Sequence, residues 1–185
     1  MIDFESIHRA ADVIRQGGVV AYPTESCFGL GCDPDNTDAI RRILRMKKRP
    51  ANKGLILISD RLSRLGKYTG ELPLSHRQEM MTSWPGPFTW LVPTTGAVSF
   101  WLKGQHTLVA VRVTAHKEAA LLCRLAGKPI VSTSANRSGQ KSIKAYNRIS
   151  QVFGNEVDYV VNGQIGRSSR PSTIRNSVTG EILRG

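Results

Sequence analysis

Cysteine is scarce here, and no set of metal ligands is patterned along the chain. Cys27, Cys32 and Cys123 make an odd count, and no two stand in a C-x-x-C spacing, so neither a disulfide framework nor a zinc site is expected. The histidines His8, His76, His106 and His116 are scattered without ligand spacing. Free thiols in a reducing compartment are the expectation. Long apolar runs are also missing, which excludes a membrane-spanning helix. The first residues, MIDFESIHRAADVIRQ, carry acids and an amphipathic pattern in place of a signal peptide. These absences predict a cytoplasmic protein with no membrane partner. Several nucleotide and hydrolase signatures are absent too: G-x-x-x-x-G-K-[ST], G-x-G-x-x-G after a strand, H-E-x-x-H and G-x-S-x-G. P-loop, dinucleotide-oxidoreductase and protease readings lose support accordingly.

Acidic residues are few relative to basic ones. Lys and Arg number 26 against 14 Asp and Glu, for a formal charge of +12. Such a field attracts polyanions, either nucleic acid or nucleotides. A generally basic surface with no ligand would look the same. The length, 185 residues, and the apolar content, 40%, suit one domain with its own core, which we place at 4–185.

The periodicity reads as an α/β (α+β) domain with a mixed sheet. Ile7, Ala10, Ala11 and Ile14 share one stripe of a helix over 4–16, stopped by Gly17-Gly18. A strand over Val19–Tyr22 follows, then a loop over 23–35. Ala39, Ile40, Ile43 and Leu44 mark a second helix, capped by Asn36 or Thr37 and ended before Pro50. Further strands are expected at 55–58, 89–92, 108–113, 130–132, 158–161, 172–175 and 181–184. Helical stretches are expected at 61–65, 75–82, 117–126 and 146–153. The basic segment 162–171 reads as the most flexible.

Polar loops after short apolar strands carry the chemistry, and each has a bland alternative. Y-P-T-E-S-C-F-G-L at 22–30 offers the hydroxyls of Thr24 and Ser26 beside glycines, or a simple turn. Lys47, Arg49 and Lys53 can neutralise a triphosphate, or merely end a helix. W-P-G-P-F-T at 84–89 is a rigid turn whose Thr89 could face a pocket. Arg112 lies inside an apolar strand, where it needs an ion pair or an anionic ligand. S-T-S-A-N-R-S-G at 132–139 is an array of small donors, or a capped turn. R-P-S-T-I at 170–174 and Arg184 complete the set.

Taken in order, the loops P-T-E-x-x-x-G-L, K-x-R-P, W-P-G-P-x-T, A-V-R-V, S-T-S-A-N-x-S-G and P-S-x-I resemble the YrdC/TsaC family of threonylcarbamoyl-AMP synthases. The resemblance runs from about Val19 to the end and is closest to the short bacterial form. It implies a twisted, mostly open sheet around a deep basic cavity. It implies that Lys47, Arg49, Lys53, Ser134, Asn136, Ser142 and Arg184 bind ATP, with Lys47 and Arg49 as the catalytic cations. Thr24, Arg112, Ser132 and Ser172 should hold threonine. Two positions depart from the family pattern: Gly54 where proline is frequent, and Phe28 where tyrosine is. The implied reaction joins L-threonine, CO2 or bicarbonate, and ATP, with Mg2+ carried by the ATP. No protein metal site is implied. The product would feed a threonylcarbamoyl-transferase complex that modifies the adenosine next to the anticodon in tRNAs reading codons that start with A. Direct contact with tRNA is left open. The alternative is a non-catalytic tRNA- or rRNA-binding module. The low aromatic content, 6%, argues against that alternative, because single-stranded RNA is usually held by stacking.

Overall fold

A computed structural model describes residues 2–72, 74–96 and 98–185. The chain opens with α1 (Phe4–Arg15), where Asp3 accepts a hydrogen bond from the Ser6 amide and Ile7, Ala10, Ala11 and Ile14 turn inward. Next come β1 (Val20–Pro23) and β2 (Phe28–Gly31), an antiparallel pair. The expected loop over 23–35 therefore contains a strand. Its sequence, Phe-Gly-Leu-Gly, hides the alternation because glycine weakens the strand signal. Those glycines have a packing reason. A Cβ at Gly31 would lie 2.7 Å from both the Tyr22 ring and the Val131 carbonyl oxygen.

Asn36 caps α2 (Thr37–Lys47) through the Ala39 amide, and Lys48, at φ 50, ends it. The remaining elements are β3 (Ile56–Ser59), α3 (Leu74–Ser83), β4 (Phe88–Pro93), α4 (Phe100–Lys103), β5 (Leu108–Val113), α5 (Lys117–Ala126), β6 (Ile130–Ser134), α6 (Asn147–Phe153), β7 (Tyr159–Val160), β8 (Thr173–Asn176) and β9 (Ile182–Arg184). The expected helix at 61–65 is a 3-10 turn, Leu62–Arg64. The short helix α4 was not anticipated.

The nine strands form one mixed sheet in the order β7-β1-β2-β6-β3-β5-β4-β8-β9. One face carries Leu57, Trp90, Val92, Val111 and Val131 into the larger core, against Ile40, Ile43 and Leu44 of α2. Each such side chain contributes roughly 1.5–3 kcal/mol when fully buried. On the opposite face, Val20, Tyr22, Ile58 and Ile130 pack under α1 and α5. Strand side chains alternate, so residues two positions along each strand share that second face. There the pairing runs Ser132–Ile56–Ala110–Leu91–Asn176 across five strands. All five residues of this row line a cavity and form its floor.

Candidate functional site

The cavity has a volume of about 1270 Å³. Its floor, around Ile56, Leu91, Ala110 and Ile174, is apolar. Its lining is cationic: Arg49, Lys53, Lys103, Lys141, Lys144 and Arg184, with Arg112 buried among them. No aspartate or glutamate lines it among the described residues. The space is large enough for a nucleotide and a small amino acid together.

All four residues expected to hold threonine line this cavity, namely Thr24, Arg112, Ser132 and Ser172. So do five of those expected at the nucleotide: Arg49, Lys53, Ser134, Ser142 and Arg184. Lys47 and Asn136 do not, and here placement departs from expectation. Lys47 is buried, and its ammonium donates to the Ser134 carbonyl, the Asn136 carbonyl (2.9 Å) and Asn136 Oδ1 (3.1 Å). Its three N–H groups are thereby used. Burial, and then the nearby Arg49 charge, pull its pKa down to about 8. Asn136 is equally engaged: Oδ1 also accepts from Ser134 Oγ (2.7 Å), and Nδ2 donates to the Arg137 and Gln140 carbonyls. Both side chains fasten the 134–140 loop, Lys47 because it is buried and must find its partners inside the protein, Asn136 from a half-buried position within the loop.

Arg49 reaches back to Gly54, with Nε and Nη2 donating to its carbonyl oxygen at 3.2 and 2.9 Å. Gly54 sits at φ 60, a conformation closed to proline, and a Cβ there would lie 2.8 Å from the Lys103 carbonyl oxygen. Phe28, the other departure, is buried in the larger core and is not among the residues lining the cavity.

Arg112 is 7% exposed. Its Nη2 lies 3.4 Å from Glu25 Oε2, and its buried Nε has no hydrogen-bond partner. Thr114 Oγ1 donates to Glu25 Oε1 at 2.6 Å. Burial alone would raise the Glu25 pKa, but Arg112 and the Thr114 hydroxyl outweigh it and hold the carboxyl below its ordinary value. The two sequence readings of Arg112 thus coexist: it has an ion-pair partner and it also faces the cavity. Glu25 was visible in the P-T-E motif, but no local signal paired it with residue 112.

Ser172 is held by four contacts. Arg184 donates from Nε and Nη2 to its carbonyl oxygen (2.9 and 2.8 Å) and from Nη2 to its Oγ (3.1 Å). Thr89 Oγ1 lies 2.9 Å from the same Oγ, fully buried beneath it, so Thr89 supports the wall without facing the space. Burial, then Arg112 and Arg49, lower the Arg184 pKa, the mark of three guanidinium groups crowded together. The W-P-G-P-F-T turn is structural: Trp84–Pro85 is cis, and Trp84 Nε1 donates to the Phe88 carbonyl at 2.7 Å. The segment 162–171 runs against the P-T-E loop. The Gly166 and Ser168 amides donate to the Thr24 and Glu25 carbonyls at 2.8 and 3.0 Å. Lys103, His106, Lys141 and Lys144 also line the cavity and were missed, since they lie in stretches between the motifs.

Among the described residues no group of three or more His, Cys, Asp or Glu side chains could hold a metal ion. No helix there is long and apolar enough to cross a membrane.

Comparison with known proteins gives a consistent set of matches. A family model for Sua5, YciO and YrdC, described as telomere recombination, matches residues 12–185. A threonylcarbamoyl-AMP synthase of Thiobacillus denitrificans is 52% identical over 171 residues, covering 92% of this chain and 90% of that protein. One from Coxiella burnetii is 43% identical over 180 residues, covering 97% of each. Among solved structures, P. abyssi Sua5 complexed with L-threonine superposes with a TM-score of 0.89 at 32% identity, over 95% of this chain and 52% of that one. The chain therefore spans about half the length of the P. abyssi protein. E. coli YciO superposes with a TM-score of 0.86 at 26% identity, over 98% and 89% of the two chains.

Proposed function

We infer the activity from one premise: the chain belongs to the Sua5/YciO/YrdC family. It is a threonylcarbamoyl-AMP synthase, a nucleotidyltransferase that joins L-threonine, CO2 or bicarbonate, and ATP into L-threonylcarbamoyladenylate and diphosphate. The observation that carries this reading is the cavity, whose described lining is cationic and without acids, and whose floor is apolar.

In the reaction the threonine nitrogen bonds to CO2 and loses a proton. An oxygen of the resulting carbamate attacks the α-phosphorus of ATP, and the bond to the diphosphate breaks. The obstacle is repulsion, because an α-carboxylate, a carbamate and a triphosphate must meet. Arg112 takes the α-carboxylate, and the hydroxyls of Thr24, Ser132 and Ser172 orient the amine and side chain. Arg49, Lys53 and Arg184 face the phosphates, with Ser134 and Ser142 as neutral donors. Lys47 and Asn136 act by shaping the loop that carries Ser134. No side-chain nucleophile is required; positioning and charge stabilisation supply the acceleration. Mg2+ enters as part of the substrate MgATP, since the wall offers hydroxyls and cations but no carboxylate to hold it. The mixed anhydride is then consumed by a transferase complex acting on the adenosine beside the anticodon of tRNA.

Diphosphate release from ATP tests this, with threonine and bicarbonate each omitted in turn. Release that needs both is expected. Release independent of threonine, or RNA binding with no release, overturns the reading.

A further inference from the structure

Glu25 is an anomaly in a cavity otherwise surrounded by cations. It does not line the space, yet it sits directly behind the arginine that does. Its two oxygens have separate tasks. Oε1 is fixed by the Thr114 hydroxyl at 2.6 Å, and Oε2 faces Arg112 Nη2 at 3.4 Å. The backbone around it is fixed as well. The Glu25 carbonyl accepts from the Ser168 amide, and the Thr114 amide donates to the Ser59 carbonyl at the end of β3. The carboxylate therefore has little freedom to move, and it holds one side of the Arg112 guanidinium.

An arginine has five N–H donors in a rigid plane, and one edge of that plane can grip a carboxylate bidentately. On a flexible stem the plane rotates, and a ligand must fix it on binding, at a cost in side-chain entropy. A partner held behind the guanidinium removes that cost beforehand. Arg112 lines the cavity, and among the described residues Glu25 is its one ion-pair partner, so a ligand entering the cavity meets a guanidinium not already taken by a second acid. Glu25 Oε2 meets Arg112 as an ion pair without a hydrogen bond, so it orients the guanidinium by charge and leaves its N–H donors for a ligand.

We propose that Glu25, held by Thr114, is a positioning residue for substrate recognition, turning the Arg112 fork so that its remaining edge meets the α-carboxylate of the amino acid. The proposal rests on the reading that Arg112 takes that carboxylate. It assigns Glu25 no contact with substrate and no proton transfer. Its loss acts on amino-acid binding and leaves ATP binding alone, because Arg49 is anchored separately, on the Lys53 and Gly54 carbonyls.

Calorimetric titration with L-threonine, alongside KM for ATP, decides the matter in wild type, Glu25→Gln, Thr114→Val, Arg112→Ala and the Glu25→Gln/Arg112→Ala double variant. In Glu25→Gln the side chain keeps its shape and still accepts from Thr114, but sets an N–H against an N–H. The expected result is a threonine Kd weakened about tenfold by Glu25→Gln and about threefold by Thr114→Val, with KM for ATP within about twofold. In the Arg112→Ala background Glu25→Gln should add less than about twofold, because its effect passes through the arginine. An unchanged or tighter threonine Kd in Glu25→Gln overturns the proposal; tightening would make Glu25 a competitor for the fork. Additive losses in the double variant also overturn it. Should Glu25→Gln fail to fold, Thr114→Val alone decides, and an unaltered Kd there is fatal. If Arg112→Ala leaves threonine binding intact, the carboxylate assignment itself is wrong, a failure distinguishable from that of Glu25.

Discussion

A lysine whose three N–H groups all end on the chain's own oxygens cannot grip a phosphate without releasing one of them. Lys47 is in that position, and Arg49, two residues on, is not. The two alanine variants should therefore differ. Arg49→Ala is expected to cut turnover at least about tenfold with little change in stability. Lys47→Ala should cut turnover similarly and also lower the unfolding free energy by roughly 1–3 kcal/mol, because it strands buried acceptors. Urea melts beside diphosphate-release rates check both, and equal stability in the two variants would return Lys47 to the cavity wall. Lys47 also predicts a pH effect. Its folded pKa of about 8 lies below the ordinary 10.5, so the unfolded chain binds more protons between those values. The cost of burying its charge is present in full below the lower value and fades as pH rises toward the upper one. Wild type should thus gain stability over Lys47→Met across that window, and a flat difference would refute it.

At the scale of elements, Gly54 joins the turn after α2 to β3, and its carbonyl anchors Arg49. Gly54→Ala forces a side chain into the left-handed region against the Lys103 carbonyl, and should cost about 1–3 kcal/mol and raise KM for ATP. Urea unfolding and initial rates read both effects, and an unchanged pair would mean the turn relaxes freely. What the sequence made legible follows the same division between local and distant. The helices α2 and α5 were readable because stripe, Asn36 cap and Gly127 stop lie within a few residues. Nine of the eleven named site residues reach the cavity because strand ends and polar loops alternate in register. The strand β2 was not readable, since its glycines serve the Tyr22 ring across the hairpin. Nor was the pairing of Glu25 with Arg112, or the engagement of Lys47 with the loop that carries Asn136. The ion pair and the Lys47 contacts join residues about ninety apart, and no local pattern encodes those.

Over the whole molecule, the formal charge of +12 is not spread evenly relative to function, because cations line the cavity and acids are absent from its described lining. KM for ATP should rise several-fold between about 0.05 and 0.5 M salt, as screening shortens the reach of the exposed lysines. The threonine Kd, set by the buried Arg112, should move much less, and equal salt slopes would show that the two ligands share one electrostatic origin. The floor of the cavity has a different consequence. It is a row across β6, β3, β5, β4 and β8, strands drawn from residues 56 to 176 and mostly distant along the chain. A molecule lying on that row works as a removable crosslink between far-apart segments. At a hundredfold excess over its Kd, such an occupant adds about 2.7 kcal/mol to the unfolding free energy. Withdrawing threonine and ATP should therefore lower the urea midpoint of the protein, because the strands that the occupant bridged are then joined by the sheet alone.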